Sequence, residues 1–133
     1  MWLLKTEPSE YGYDDLEKEG RACWDGVRNP AALRNLGLMK AGDRVVVYHT
    51  GKEKAAVGRA EVVRPAYPDP KWKRGKLVVV DLEPRGRLSR LVTLAEIKAL
   101  PAFADSPLVR QGRLSVVPLT AAQWKAIESR GRA

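Results

Sequence analysis

The chain has 133 residues, 44% of them hydrophobic and 30% charged, which fits one domain, residues 1–133, with a core that needs neither disulfides nor metal. A single cysteine, Cys23, excludes an intrachain disulfide, and a single histidine, His49, leaves a Cys/His zinc site short of ligands, so no metal or other cofactor is expected. The net charge of +8 favours a polyanionic partner, nucleic acid first.

In chain order, Trp2–Thr6 reads as a buried strand, ended by Glu7-Pro8 because proline restricts itself and its predecessor. Tyr13–Lys18 is a short helix closed by Gly20. Its adjacent acids, Asp14 and Asp15, suit the positive end of the helix dipole better than paired acid catalysis. Cys23-Trp24-Asp25-Gly26-Val27-Arg28 is a polar loop with an Asp-Gly turn. Asn29 is an N-cap and Pro30 suits the first helical position, so Pro30–Met39 is predicted helical. Arg44–Tyr48 and Val57–Val63 are strands. Arg64–Gly75, with three prolines, Tyr67, Trp72 and interleaved basic residues, reads as a long functional loop. Leu77–Leu82 and Arg87–Val92 are two further strands, and Arg113–Val117 is the last. Capping boxes at Thr93–Glu96 and Thr120–Gln123 open short helices, and Ser106-Pro107 starts another helical turn. Ile97, Leu100, Trp124 and Ile127 should face the core. Strands and long helices do not alternate strictly. The class is therefore α+β: a compact mixed β-barrel of about six strands with peripheral short helices.

No phosphate-binding or dinucleotide fingerprint is present. A Cys23–His49 dyad would need a proximity that spacing does not supply, and Cys23 is expected to pack as a small hydrophobe. No apolar run approaches the ~18 residues of a membrane span, and Met1–Lys5 is too short for a signal peptide. A cytoplasmic protein without a membrane partner is expected. Trp24 and Trp72 lie in polar, turn-rich segments, where a large ring either packs under a loop or stacks on a ligand. Lys71, Lys73, Arg74 and Lys76 surround Trp72. Cations mixed with aromatics suit single strands or a flipped nucleotide, the cations holding phosphate and the ring a base.

The stretches Trp2–Ser9, Cys23–Asn29, Met39–Thr50, Gly58–Val63, Ala66–Pro70 and Arg110–Thr120 together resemble the EVE domain, a PUA-like family related to YTH domains. The resemblance implies a PUA-like barrel and a pocket for a modified nucleobase, methylated cytosine or similar, in DNA or RNA. It implies binding without catalysis. It assigns Lys5, Thr6 and Glu7 to hydrogen bonding with the base and Trp24 to the first aromatic wall. Asp25 and Asn29 would lie at the rim. Tyr48, His49 and Thr50 would face the same cavity, with Arg110, Gln111 and Ser115 closing it. Tyr67 and Trp72 are both candidates for the second wall. Arg28, Lys71, Lys73, Arg74 and Lys76 would hold the nucleic-acid backbone. Two other readings stay open: an enzyme using Glu7 as a general acid or base with a raised pKa, and a small-molecule pocket or protein adaptor.

Overall fold

The computed structural model describes residues 1–71 and 77–132. Six strands form one mixed sheet, curled as a half-barrel: β1 (Trp2–Thr6), β2 (Ala22–Trp24), β3 (Arg44–His49), β4 (Ala55–Pro68), β5 (Val78–Thr93) and β6 (Val116–Pro118). Their spatial order is β2-β5-β4-β3-β1-β6. Among the described residues only β1 and β3 pair in parallel, with Lys5 opposite Tyr48 and Thr6 opposite His49. The remaining pairs are antiparallel. Among the described residues five α-helices flank the sheet: α1 (Tyr13–Glu19), α2 (Pro30–Gly37), α3 (Leu94–Ala99), α4 (Pro107–Arg110) and α5 (Ala121–Arg130).

The helix starts follow local chemistry. Asn29 Oδ1 accepts from the amides of Ala31 and Ala32, which caps α2. Thr93 with Glu96 and Thr120 with Gln123 form reciprocal capping boxes. Gly20 ends α1 in the left-handed region at φ 71°, where a side chain would be strained. Ile97, Trp124 and Ile127 are buried, and Leu100 is half-buried against them.

Four expectations change. The segment read as two strands, Leu77–Leu82 and Arg87–Val92, is the single strand β5. Pro84-Arg85-Gly86 looks like a turn, yet Glu83, Pro84, Gly86 and Arg87 all keep partners on β4. Register shifts at that point absorb the missing proline N–H, and Gly86 sits at φ 108°. Residues 64–68, assigned to the long loop, instead extend β4, so Tyr67 is a strand residue opposite Val79. The three residues of β2 read as loop because so short an edge strand carries little periodicity; pairing with β5 defines it. The last strand starts at Val116 rather than Arg113.

The core joins Leu3 and Leu4 of β1, Val45, Val46 and Val47 of β3, Tyr13 and Leu16 of α1, Phe103 and Ile127. Tyr13 locks α1 to the sheet. Its hydroxyl donates to the Arg59 carbonyl at 2.6 Å and accepts from the Gly86 amide at 3.1 Å. Its ring lies flat against Gly58, where a Cβ would stand 2.6 Å from Tyr13 Cζ. Gly58→Ala should therefore destabilise the protein by about 1–3 kcal/mol, read as a lowered melting temperature. An unchanged melt would mean that the ring relaxes freely.

A second constraint ties β5 to α3. Arg90 donates to both oxygens of Glu96, at 3.0 and 2.5 Å. These hydrogen bonds hold the Glu96 carboxyl at about 2, against an ordinary 4.5. The folded value is the lower one, so the stabilisation is complete above the ordinary value and is lost as pH falls toward about 2. Glu96→Gln should flatten the dependence of melting temperature on pH within that window. A profile as steep as wild type would show that other carboxylates carry it.

Candidate functional site

Parallel pairing places the carboxyl ends of β1 and β3 side by side, and the chain leaving β1 must then cross over before it can return as β3. That crossover carries Tyr11, β2 and the loop after it. Together with β1 it encloses a cavity of about 660 Å³ lined by Lys5, Thr6, Glu7, Glu10, Tyr11, Glu19, Ala22, Cys23, Trp24, Asp25, Gly26, Val27, Arg28, Lys71 and Ser115. The volume lies within the range of ligand pockets.

The floor is aromatic. Trp24 is 7% exposed, the last residue of β2, and meets the Tyr11 ring nearly perpendicularly at 5.9 Å. Tyr11 is held at both backbone groups: its amide donates to the Glu7 carbonyl at 2.9 Å, and its carbonyl accepts from Thr6 Oγ1 at 2.6 Å. Its buried hydroxyl has no hydrogen-bond partner among the described residues. Burial, reinforced by the nearby acids Glu19, Asp15 and Asp25, pushes that phenol well above its ordinary range, so it stays neutral.

The polar groups are mixed. Lys5 Nζ donates to the Gly112 carbonyl at 2.9 Å and lies 5.8 Å from the centre of the Tyr48 ring. Partial burial lowers its pKa. Glu7 Oε1 accepts from the Ser9 amide at 3.1 Å and the Ser9 hydroxyl at 2.9 Å, which lowers its pKa below the ordinary carboxylate value. Asp25 faces Lys71 at 3.7 Å. Four acids, Glu7, Glu10, Glu19 and Asp25, thus share the lining with three cations, Lys5, Arg28 and Lys71, although the whole chain carries +8.

Of the residues expected at the pocket, Lys5, Thr6, Glu7, Trp24, Asp25 and Ser115 line this one cavity, and so do Arg28 and Lys71, which were expected to hold the nucleic-acid backbone. The others have different places. The Asn29 side-chain oxygen is engaged by the helix cap. Tyr48 is buried beneath Lys5. His49 Nε2 accepts from the Tyr13 amide at 3.1 Å, so its Nδ1 carries the proton and meets Glu53 at 2.8 Å. Thr50 bonds the Thr6 carbonyl at 3.3 Å and Glu7 at 3.4 Å, behind the rim. Arg110 ends α4 in an exposed pair with Asp105 at 3.2 Å, and Gln111 caps that helix; neither lines the cavity. Tyr67 is also outside the lining. Its hydroxyl donates to Asp81 at 2.5 Å, and Arg64 covers its ring at 3.6 Å. Trp72, Lys73, Arg74 and Lys76 lie outside the described residues.

Cys23 is exposed rather than packed, because it points out of an edge strand, and it lies 3.6 Å from the Tyr67 hydroxyl. His49 is occupied elsewhere, as above. Sequence reasoning missed Tyr11, Glu10 and Glu19. The signal for Tyr11 was available: like Trp24, it is a ring in a turn-rich segment, directly after Glu7-Pro8-Ser9. Nothing local marks the two acids, which read as helix and turn solvation.

The EVE domain family profile matches residues 1–130. Thymocyte nuclear protein 1 from Mus musculus is 30% identical over 96% of this chain and 72% of its own length. A Rhodopseudomonas palustris structure superposes with a TM-score of 0.91 at 43% identity, covering 98% of this chain and 91% of that one. Human THYN1 protein, in complex with 5-methylcytosine-containing DNA, superposes with a TM-score of 0.91 at 28% identity, covering 99% of this chain and 97% of that one. With a family match across nearly its whole length and this fold around this cavity, the chain belongs to the EVE domain family.

Proposed function

We propose that this protein is a DNA-binding module that takes a modified cytosine out of the stack and into the cavity beside Trp24. The observation that carries the reading is the lining itself: an aromatic floor with carboxylates and a few cations around it. The THYN1 protein, similar to 99% of this chain, is complexed with DNA containing 5-methylcytosine, which supports the same ligand class here.

The charge balance bears on what enters. A phosphate would meet Glu7, Glu10, Glu19 and Asp25 and be repelled. A base bearing an exocyclic amino group finds acceptors in those carboxylates, as cytosine N4 does in direct readout. The phosphates belong outside, where Lys71, with an 83% exposed side chain, and Arg28 stand at the edge. The ring of Trp24 supplies an apolar surface for the base, worth ~1–3 kcal/mol where a base stacks on an aromatic.

Binding fits this cavity better than catalysis. A general acid near neutral pH needs a raised pKa. The hydrogen bonds from Ser9 hold Glu7 low instead, which makes it a fixed acceptor.

Two measurements test the reading. Trp24→Ala should weaken binding of a 5-methylcytosine oligonucleotide by roughly one to two decades, matching the ~1–3 kcal/mol of a stacked base, in fluorescence anisotropy at fixed salt with circular dichroism confirming the fold. Binding as tight as wild type would remove Trp24 from the site. Replacing 5-methylcytosine by thymine in the same oligonucleotide keeps the methyl group and exchanges the amino group for a carbonyl. Affinity should then fall by about one decade or more, within the ~1–3 kcal/mol of one edge contact. Equal affinity would mean that the carboxylates do not read the base.

A further inference from the structure

The cavity opens beside a cluster that the base-binding reading leaves unused. Asp81 of β5 is buried and joins three strands. Its Oδ1 accepts from the Tyr67 hydroxyl of β4 at 2.5 Å, and its Oδ2 from Arg21 Nη2, at the start of β2, at 3.0 Å. The Arg64 guanidinium lies over the Tyr67 ring, 3.6 Å from its centre. Cys23, opposite Asp81 across the β2–β5 pair, lies 3.6 Å from the Tyr67 hydroxyl and lines the cavity itself. Arg21, Cys23, Asp81, Tyr67 and Arg64 therefore form one continuous ledge running from the cavity across β2, β5 and β4.

The ledge is built rather than incidental. The hydrogen bond to Asp81, more than burial, raises the Tyr67 phenol well above its ordinary range and keeps it a donor. That bond fixes the ring, and the fixed ring orients the guanidinium laid on it. Among the described residues Arg64 has no carboxylate partner, and it is exposed. Arg21 keeps half of its side chain exposed while anchored to Asp81. A guanidinium stacked by its face leaves its N–H edge free to meet a planar or tetrahedral oxyanion in two-pronged fashion.

We infer that this ledge is the track for the nucleic-acid backbone next to the extruded base, with Arg64 as its principal phosphate contact, Arg21 as its second, and Tyr67 as the positioning residue beneath. The inference rests on the proposed base-binding function and extends it: it states on which side of the cavity the strand runs. Phosphates excluded from the acid-lined cavity are held one step away, on the outer face of β2, β5 and β4. Tyr67 then serves as a platform with its ring covered by Arg64, rather than as a second wall for the base.

The test is the salt dependence of binding. Each phosphate contact contributes about 0.7–0.9 to the slope of log affinity against log salt. Arg64→Gln should lower that slope by about one and weaken methylated and unmethylated oligonucleotides by the same factor. Lys125→Gln, on α5 away from the cavity, should leave the slope unchanged. Circular dichroism and the melting temperature confirm that each variant is folded. A wild-type slope in Arg64→Gln, with Trp24→Ala still impaired, would overturn the ledge and leave the base-binding reading intact. A slope lowered equally by Arg64→Gln and Lys125→Gln would overturn it as well, because the effect would then be one of net charge. An unimpaired Trp24→Ala alongside a lowered slope in Arg64→Gln would overturn the base-binding reading instead.

Discussion

The parallel pairing of β1 with β3 is the constraint on which the candidate site depends. Every other strand pair among the described residues is antiparallel. Parallel neighbours cannot be joined by a tight turn, so the chain after Thr6 has to travel before it returns at Arg44. It uses that path to make α1, to add β2 at the far edge of the sheet, and to start α2 at Asn29. The aromatic floor of the cavity comes entirely from this excursion, and its hydrogen-bonding rim from the end of β1. A hairpin at the same place would leave Trp24 without a cavity to line.

The second organising feature is the separation of charge. A chain carrying +8 places four carboxylates in its main cavity and leaves cations at the edge and on the adjoining sheet face. The Ser9 hydrogen bonds hold the Glu7 carboxyl below its ordinary range. This division separates two tasks that basic proteins often merge. Under the proposed function, long-range attraction and phosphate contact belong to the outside. The inside offers acceptors and rings, which under the proposed function discriminate by hydrogen-bond pattern rather than by net charge.

Both arrangements rely on packing with little slack. Gly58 admits the Tyr13 ring against the sheet, and Tyr13 in turn bonds Arg59 and Gly86 from both sides of its hydroxyl. The amide of Tyr13 bonds His49, so α1 is tied to the end of β3 as well as to β4 and β5. These contacts set where the segment before α1, and with it Tyr11, stands relative to β1. On the opposite flank, Asp81 holds the short strand β2 to its neighbours through Arg21 and Tyr67.

The sequence by itself determined the features encoded within a few residues. The caps at Asn29, Thr93 and Thr120, the stop at Gly20 and the strands β1 and β3 are legible because local hydrogen-bonding chemistry and β-branching act at short range. The ordered motifs across the chain also identified the family, and the residues at Lys5–Glu7 and Trp24–Asp25 that line the cavity. Tertiary structure alone decided what depends on partners distant in sequence. Pro84-Arg85-Gly86 reads as a turn until β4 supplies the pairing that carries β5 through it. Cys23 reads as a core residue until β2 is seen to be an edge strand with Cys23 pointing outward. Tyr67, one of two candidates for the second wall, stands outside the cavity lining with its hydroxyl on Asp81 of the neighbouring strand. In each case the deciding neighbour lies across a strand pair, and a hydrogen bond between strands leaves no local trace in either of them.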